Sequence, residues 1–460
     1  MPTFLAVAES IAVVGSGPSG LAAAWCARRA GYQVTIFESN NYLGGKMKTG
    51  RRDRFLIEEG PSLVSTSYRA ILRILVEVGL ADQLVPAGSI IGIPRDGVMH
   101  QLDCHRIGRD FAGTRLLSAR SKLLLGRLLT DCIRHRARLS DPSRLVELAG
   151  IDTESAAGYG RRRLNAELLD YLVEPMGRAL VGSSPEDISV VDLLYAWTGF
   201  LGRVGFVALR DGMSSYPDAL GRRMRTRLNA PVHAVRRTGS GVRLSWRNES
   251  ASGTSTESST EFAGCVLAVS APVAAKIYPD LDPWRTTFLT DVAYTSVLNL
   301  SIALDRPPAG SRAMYLLPSA ASTPELLGVI LEHNKAPGRA PAGRGLIALY
   351  ASPEFSARHR HDPDDTCISQ LLAANERLLP GSRDTVRFTQ LHRWDSLAIR
   401  SRPGYYRDLA RFAAISRERD SVIQLAGDYF APSNLNSATS AGERAARDVV
   451  AALRGPRVGH

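Results

Sequence analysis

The sequence predicts an α/β fold organised around a Rossmann-like dinucleotide-binding unit, with helical and strand-bearing stretches in the rest of the chain. Three observations carry the prediction. Residues 11–38, IAVVGSGPSGLAAAWCARRAGYQVTIFE, read as strand, glycine turn, helix and strand. A second apolar run far downstream, 422–426, ends on Gly427 and Asp428 and leads into a helix opened by Asn and Ser. Between them, leucines at helical spacing give way to short alternating runs of strand character.

The first unit is the most informative. Residues 11–14 have the Val-rich character of a parallel strand buried on both faces, and they break at Gly15-Ser16-Gly17-Pro18-Ser19-Gly20. Gly15 permits the tight turn, Gly17 lets backbone approach a pyrophosphate, and Gly20 lets helix and strand pack closely. Pro18 and Ser19 open a helix whose free N–H groups and positive dipole end suit phosphate. The second run ends on Glu38, placed to accept ribose hydroxyls and to repel a 2′-phosphate, with Ser39 beside it. A glycine triplet also serves packing alone; the ordered succession of strand, turn, helix, strand and acid argues for the dinucleotide.

Composition sets the class. A chain of 460 residues with 44% hydrophobic and 22% charged residues is a globular protein of two domains, or one domain with large insertions. No apolar run reaches the roughly 18 residues of a spanning helix. The N-terminal stretch lacks a basic flank, and the five cysteines are scattered without metal-ligand spacing, so a reducing cytoplasm, no cleaved leader and no structural metal are expected. His359 and His361 read as part of a solvated charged loop. The net charge of +12 is concentrated in stretches such as 120–139, RSKLLLGRLLTDCIRHRARL. That helix has three readings: a packed helix with a solvated basic face, a surface that meets anionic lipid, or an attractor for an acidic substrate or nucleic acid. No aromatic-studded platform supports nucleic acid as a partner.

After Glu38 come Gly44-Gly45-Lys46, where paired glycines let backbone pass near a ligand and a lysine adds a cation, then a hairpin through 51–57, then Glu59-Gly60-Pro61. Taken together, GSGPSG, Glu38, Gly45 with Lys46, and Gly60 with Pro61 resemble the N-terminal signature of the flavin-dependent amine oxidase superfamily, which includes monoamine oxidases, protoporphyrinogen oxidases and phytoene desaturase-type enzymes. The resemblance implies a Rossmann-like FAD-binding domain of discontinuous segments over 1–85, 205–285 and 416–460, with an inserted helical cap over 86–204 and a mixed substrate sheet over 286–415. Residues 71–200 read as mostly helical, and the Ser/Thr-rich 248–260 as a flexible hairpin tip.

The same resemblance implies roles for particular residues. Segment 175–194 is similar to the protoporphyrinogen oxidase and desaturase branch. Val232 matches a position whose backbone pairs with adenine; Gly427 and Asp428 match the ribityl or pyrophosphate contact. Asn436, Ser437 and Ala438 match the helix start that faces the flavin, where the dipole stabilises negative charge on the reduced ring. Asn299 stands where amine oxidases of the superfamily carry a lysine. His392 is the candidate acid or base, and Trp394, Tyr405 and Tyr406 are candidates to sandwich an apolar or conjugated small-molecule substrate. No cysteine sits where covalent flavin attachment would need one, so FAD is expected to be held noncovalently. The implied chemistry moves a hydride from a C–H beside nitrogen, or from a C–C unit becoming unsaturated, to flavin N5, with oxygen or another carrier as acceptor. An amine oxidase proper and a flavin-binding protein without redox turnover are the alternatives. The expected place is the cytoplasm, with peripheral membrane contact permitted by the basic helix 120–139.

Overall fold

The computed structural model describes residues 10–201, 205–249, 255–419 and 422–455. Its nucleotide-type sheet has five parallel strands in the order Arg225–Arg227, Gln33–Phe37, Ser10–Val14, Gly264–Leu267 and Ile423–Leu425. Three stretches far apart in the chain therefore build one sheet.

Strand alternation explains its two covered faces. Ile11 and Val13 join the core made with helices Pro18–Arg29 and Leu435–Arg454, through Leu21, Ala24, Ala445 and Val449. Ala12 and Val14 face the opposite side, where Phe37 and Trp246 meet with ring centroids 4.8 Å apart. That side is roofed by an antiparallel meander of Val232–Arg237, Val242–Glu249 and Ser255–Phe262. The third of these strands corrects the sequence reading of 248–260 as a flexible tip. Ser255 to Phe262 pair residue by residue with the preceding strand, and Arg243 bonds Glu261 across it at 2.7 Å. Residues 250–254 lie outside the described residues.

A second, mixed sheet of seven strands runs in the order Val386–Ile399, Tyr294–Leu304, Gly345–Ala351, Leu326–Leu331, Tyr315–Leu316, Ile90–Arg95 and Val98–Asp103. The last two strands lie within the otherwise mostly helical stretch 71–200, as Ile91 pairs with Tyr315, more than two hundred positions away. Along Tyr294–Leu304 the even positions Leu298, Leu300 and Ile302 pack with Cys367 and Leu371 of helix Asp364–Leu378. The odd positions face the other way; Val297 packs with Leu63, and Ala303 with Phe55 and Ile57.

The cap gathers helices Ala119–Leu139, Ala156–Arg163, Glu174–Val181 and Val190–Thr198 around one apolar core. Helix Tyr405–Arg419 joins it through Tyr406 and Leu409. Two fully buried carboxylates fix that joint: Asp152 accepts from the Tyr406 amide at 2.7 Å and from Ser189 Oγ at 2.6 Å, and Asp192 accepts from the Tyr406 and Ser401 hydroxyls. Burial pushes the Asp192 carboxyl up to about 7, against the Ser401 and Tyr406 hydrogen bonds.

Candidate functional site

The glycine turn is built from contacts that only hydrogen at Cα allows. Gly15 has φ +95°, and a Cβ there would lie 2.4 Å from the Ala268 carbonyl; a Cβ on Gly20 would lie 1.9 Å from the Gly15 carbonyl. Gly17 differs. Its φ is −64°, and a Cβ would meet nothing within 4 Å. The turn is therefore tight on both flanks and open at its middle, the shape needed for backbone to face a phosphate. Pro18 begins the helix, and Ser19 Oγ donates to the Ala438 carbonyl at 2.8 Å, tying the first helix to the last.

Glu38 is buried, and its carboxylate organises the neighbouring loop. Oε2 accepts from the Ser16 amide at 2.9 Å and from Ser16 Oγ at 2.6 Å; Oε1 accepts from Ser39 Oγ at 3.2 Å and from the amide and side chain of Asn40 at 2.9 and 2.7 Å. Five donors fill its lone pairs, so a ribose would exchange with one of them. Gly45 lies over the turn, its Cβ direction 3.4 Å from Gly17 Cα, and a Cβ on Gly60 would strike the Lys46 carbonyl at 2.2 Å. Pro61 continues that crossing, half-buried. Lys46 itself points elsewhere than the reading of a phosphate-side cation anticipates. It donates to the Leu397 carbonyl at 2.8 Å and stands 3.5 Å from Asp428, so it bridges three segments. Val232 is half-buried at a bulge in the meander.

At the other end of the chain, a Cβ on Gly427 would enter the Tyr429 ring at 2.3 Å, and Asp428 accepts from Ser433 at 3.3 Å. Asn436 and Ser437 are both engaged at the start of the last helix. Asn436 Oδ1 accepts from the Ala70 amide at 2.9 Å, and the Ser437 amide is capped by Asn434 Oδ1 at 2.9 Å. Two contributors escaped the sequence reading. Ser16 is one; Gly442 is the other, because a Cβ there would sit 2.0 Å from the Ser19 carbonyl. A small residue one helical turn after Ala438 was the only signal available.

The inner face of the mixed sheet meets the backbone of 58–60. Tyr350, Asn299 and His392 stand abreast on three neighbouring strands. Tyr350 OH donates to the Gly60 carbonyl at 2.8 Å, and Asn299 Nδ2 to the carbonyls of Glu58 at 3.2 Å and Glu59 at 2.9 Å. His392 Nδ1 is 3.3 Å from Glu59 Oε2, which Lys48 Nζ approaches to 2.9 Å. Trp394, a candidate substrate aromatic, is half-buried and donates Nε1 to the Glu59 carbonyl at 2.6 Å. Beneath the loop, Glu58 pairs with the buried Arg339 at 3.1 Å; burial pushes the Glu58 carboxyl up, opposed by Lys335, Thr49 and Arg339.

The other two aromatics are corrected in different degrees. Tyr406 is fully buried in the cap core with its hydroxyl on Asp192, so it has no surface to offer a substrate. Tyr405 is half-buried, donates to the Tyr429 carbonyl at 2.6 Å and packs on Phe288. Both open helix Tyr405–Arg419. A cavity of about 270 Å³ lies instead between the cap and the start of the last helix, walled by Leu139, Phe200 and Phe206 with Tyr195, Arg136 and Asn436.

A family model described as flavin containing amine oxidoreductase matches residues 18–450, from the start of the first helix into the last. The chain belongs to that family. It is thereby a flavin-dependent oxidoreductase, and the open glycine turn between two clasping ends fits FAD. Among curated relatives, coproporphyrinogen III oxidase of Propionibacterium freudenreichii is 43% identical over 79 residues, 17% of this chain and 15% of the relative. The mitochondrial protoporphyrinogen oxidase of Nicotiana tabacum is 29% identical over 185 residues, 40% of this chain and 34% of the relative. The matches thus span about a third or less of those relatives' lengths. The solved structure of a putative protoporphyrinogen oxidase from Exiguobacterium sp. 255-15 superposes with a TM-score of 0.73 at 19% identity, covering 96% of this chain and 98% of that one, which shows the fold. Among the described residues no helix is long and apolar enough to cross a membrane.

Proposed function

We propose that the protein oxidises a cyclic, porphyrinogen-like small molecule, withdrawing a hydride from a carbon that bridges two nitrogen-bearing rings, with oxygen or another carrier as terminal acceptor. One observation carries the reading. At the position where the amine oxidases it resembles carry a lysine, this chain holds Asn299, turned onto the loop carbonyls of Glu58 and Glu59 rather than extended as a cation. Partial similarity to two porphyrinogen oxidases supports the same choice.

In this reading Gly15, Gly17 and Gly20, with the helix begun by Pro18 and Ser19, hold the pyrophosphate noncovalently. Glu38 and Ser39 meet ribose, and the Val232 backbone meets adenine. Gly45, Gly60 and Pro61, Gly427 with Asp428, and the helix start at Asn436, Ser437 and Ala438 frame the flavin. FAD supplies the hydride acceptor. The protein's own work is to position the substrate against it and to exclude water. Substrate enters through the cavity between the cap and the last helix, whose mixed lining of aromatic, aliphatic and basic groups suits an apolar ring carrying acid groups.

The test is anaerobic mixing of the flavin-loaded protein with coproporphyrinogen III, protoporphyrinogen IX, cyclic amines and polyenes, watching the visible flavin band. Bleaching by a porphyrinogen is expected. Bleaching by amines alone would make this an amine oxidase proper, and a band that no compound bleaches would leave a flavin-binding protein without turnover. The cytoplasmic face of a membrane is the proposed place of work, because helix Ala119–Leu139 exposes Leu123 (81%) and Ile133 (61%) among its arginines. Co-sedimentation with anionic vesicles that Leu123→Ser does not weaken would remove that part.

A further inference from the structure

The position of the absent lysine is chemically active in another way. Asn299 is completely buried, and both hydrogens of its amide are used on the loop carbonyls, at 3.2 and 2.9 Å. Its Oδ1 is buried without a partner. Directly opposite on the neighbouring strand, His392 sets Nδ1 3.3 Å from the Glu59 carboxylate. An ionised carboxylate only accepts, so Nδ1 carries the proton and Nε2 presents a lone pair. That Nε2 is also buried without a partner. Two acceptors on opposed residues, whose Cα atoms lie about 5 Å apart in such a pair, face the same side of the sheet. Each left unmade carries a desolvation penalty that a bound donor removes.

We propose that Asn299 Oδ1 and His392 Nε2 form a seat for a protic donor, the ring N–H of the substrate or a water that relays it, and that His392 is the base of the oxidation. This rests on the function proposed above and names its proton acceptor. The methylene carbon that bridges two pyrrole rings would give up its hydrogen, with both electrons of the C–H bond, as hydride to the flavin. The proton of an adjoining ring N–H would pass to Nε2, and the electron pair it leaves would form a ring C=N bond as the ring electrons shift to make the C=C bond to the bridge carbon. Glu59 steadies the imidazolium that results, as a carboxylate behind a histidine does in hydrolytic triads. The charged groups facing the ring are Glu59 and, behind it, Lys48; Glu58 is engaged with Arg339 and Thr49, and Tyr350 with the Gly60 carbonyl. Burial holds His392 below the ordinary imidazole range, with Glu59 pulling its affinity for protons up and Lys48 pressing it down. The ring is thus neutral and able to accept at neutral pH.

The experiment uses the flavin-loaded protein with labelled histidine, His392 being assigned by the signal lost in His392→Gln. Nuclear magnetic resonance is expected to show the Nδ1–H tautomer and a titration midpoint that rises in Lys48→Met and falls in Glu59→Gln. The Lys48 side chain is 42% exposed, so the first of these variants keeps the fold. Anaerobic flavin reduction by coproporphyrinogen III should fail at low pH with the same midpoint, move in parallel in both variants, and slow about a hundred-fold or more in His392→Gln. A rate profile that ignores the shifted midpoint, or a His392→Gln protein that reduces at the wild-type rate, overturns the proposal. If no porphyrinogen reduces the flavin, the substrate reading is what fails. The seat is then judged by coproporphyrin III, whose ring N–H groups must shift the Nε2 resonance; an unmoved resonance refutes it.

Discussion

Gly17 offers a substitution that separates cofactor binding from folding. Its φ of −64° is ordinary for any L-residue, and the Cβ of an alanine would meet nothing within 4 Å. Gly17→Ala should therefore leave the flavin-free protein as stable as before, or raise it by about 0.4–1 kcal/mol through the less flexible unfolded chain. The added methyl stands in the opening of the turn, where a phosphate would approach. Overpacking by one methyl costs about 1–3 kcal/mol, which is roughly a 5- to 140-fold loss of FAD affinity. Gly20→Ala should do the opposite, because its Cβ would sit 1.9 Å from the Gly15 carbonyl and the flavin-free fold itself must give way. The assay pairs thermal melts of deflavinated protein with a fluorescence titration of FAD. A Gly17→Ala protein that binds FAD as tightly as wild type, or that melts several degrees lower without flavin, would refute the reasoning.

Two further outcomes follow from the cap joint. Tyr406→Phe should leave a buried Asp192 oxygen one donor short, at about 1–3 kcal/mol, and lower Tm by a few degrees with KM unchanged; a raised KM at constant Tm would restore Tyr406 to the substrate. Asp192, pushed by burial to about 7 from an unfolded value near 3.9, binds its proton more tightly when folded. Stability should then fall as pH rises from about 4 to about 7, by at most roughly 4 kcal/mol, and level off above. Asp192→Asn should flatten that slope in melts at pH 5 and pH 8; parallel slopes would show that the carboxyl titrates normally.

What could be read from the chain was local. The glycine turn and its strands declare themselves within thirty residues, because periodicity and turn chemistry act between neighbours. Ile90–Arg95 did not, since a run holding Gly92 and Pro94 is weak as an isolated strand and becomes one by pairing with Tyr315 and Leu316. Ser255–Phe262 was invisible for a related reason: its side chains are mostly polar and exposed, and backbone pairing with Val242–Glu249 makes it a strand. Helix Tyr405–Arg419 did carry its signal in Tyr406, Leu409 and Phe412, a buried face at three-residue spacing. At the site, residue identities were legible and their partners were not. Lys46 and Tyr406 were read as serving a ligand, yet each is engaged by a residue distant in sequence.

The union of the first helix with the last, through Ser19 on Ala438 and Gly442 against the Ser19 backbone, bears on how the molecule is made. A ribosome delivers the glycine turn early, yet strand Ser10–Val14 waits for Gly264–Leu267 and its helix for Leu435–Arg454. Flavin capture is thereby postponed until Leu435–Arg454 has been made, so yellow colour in a preparation would count only those molecules in which these two helices have met.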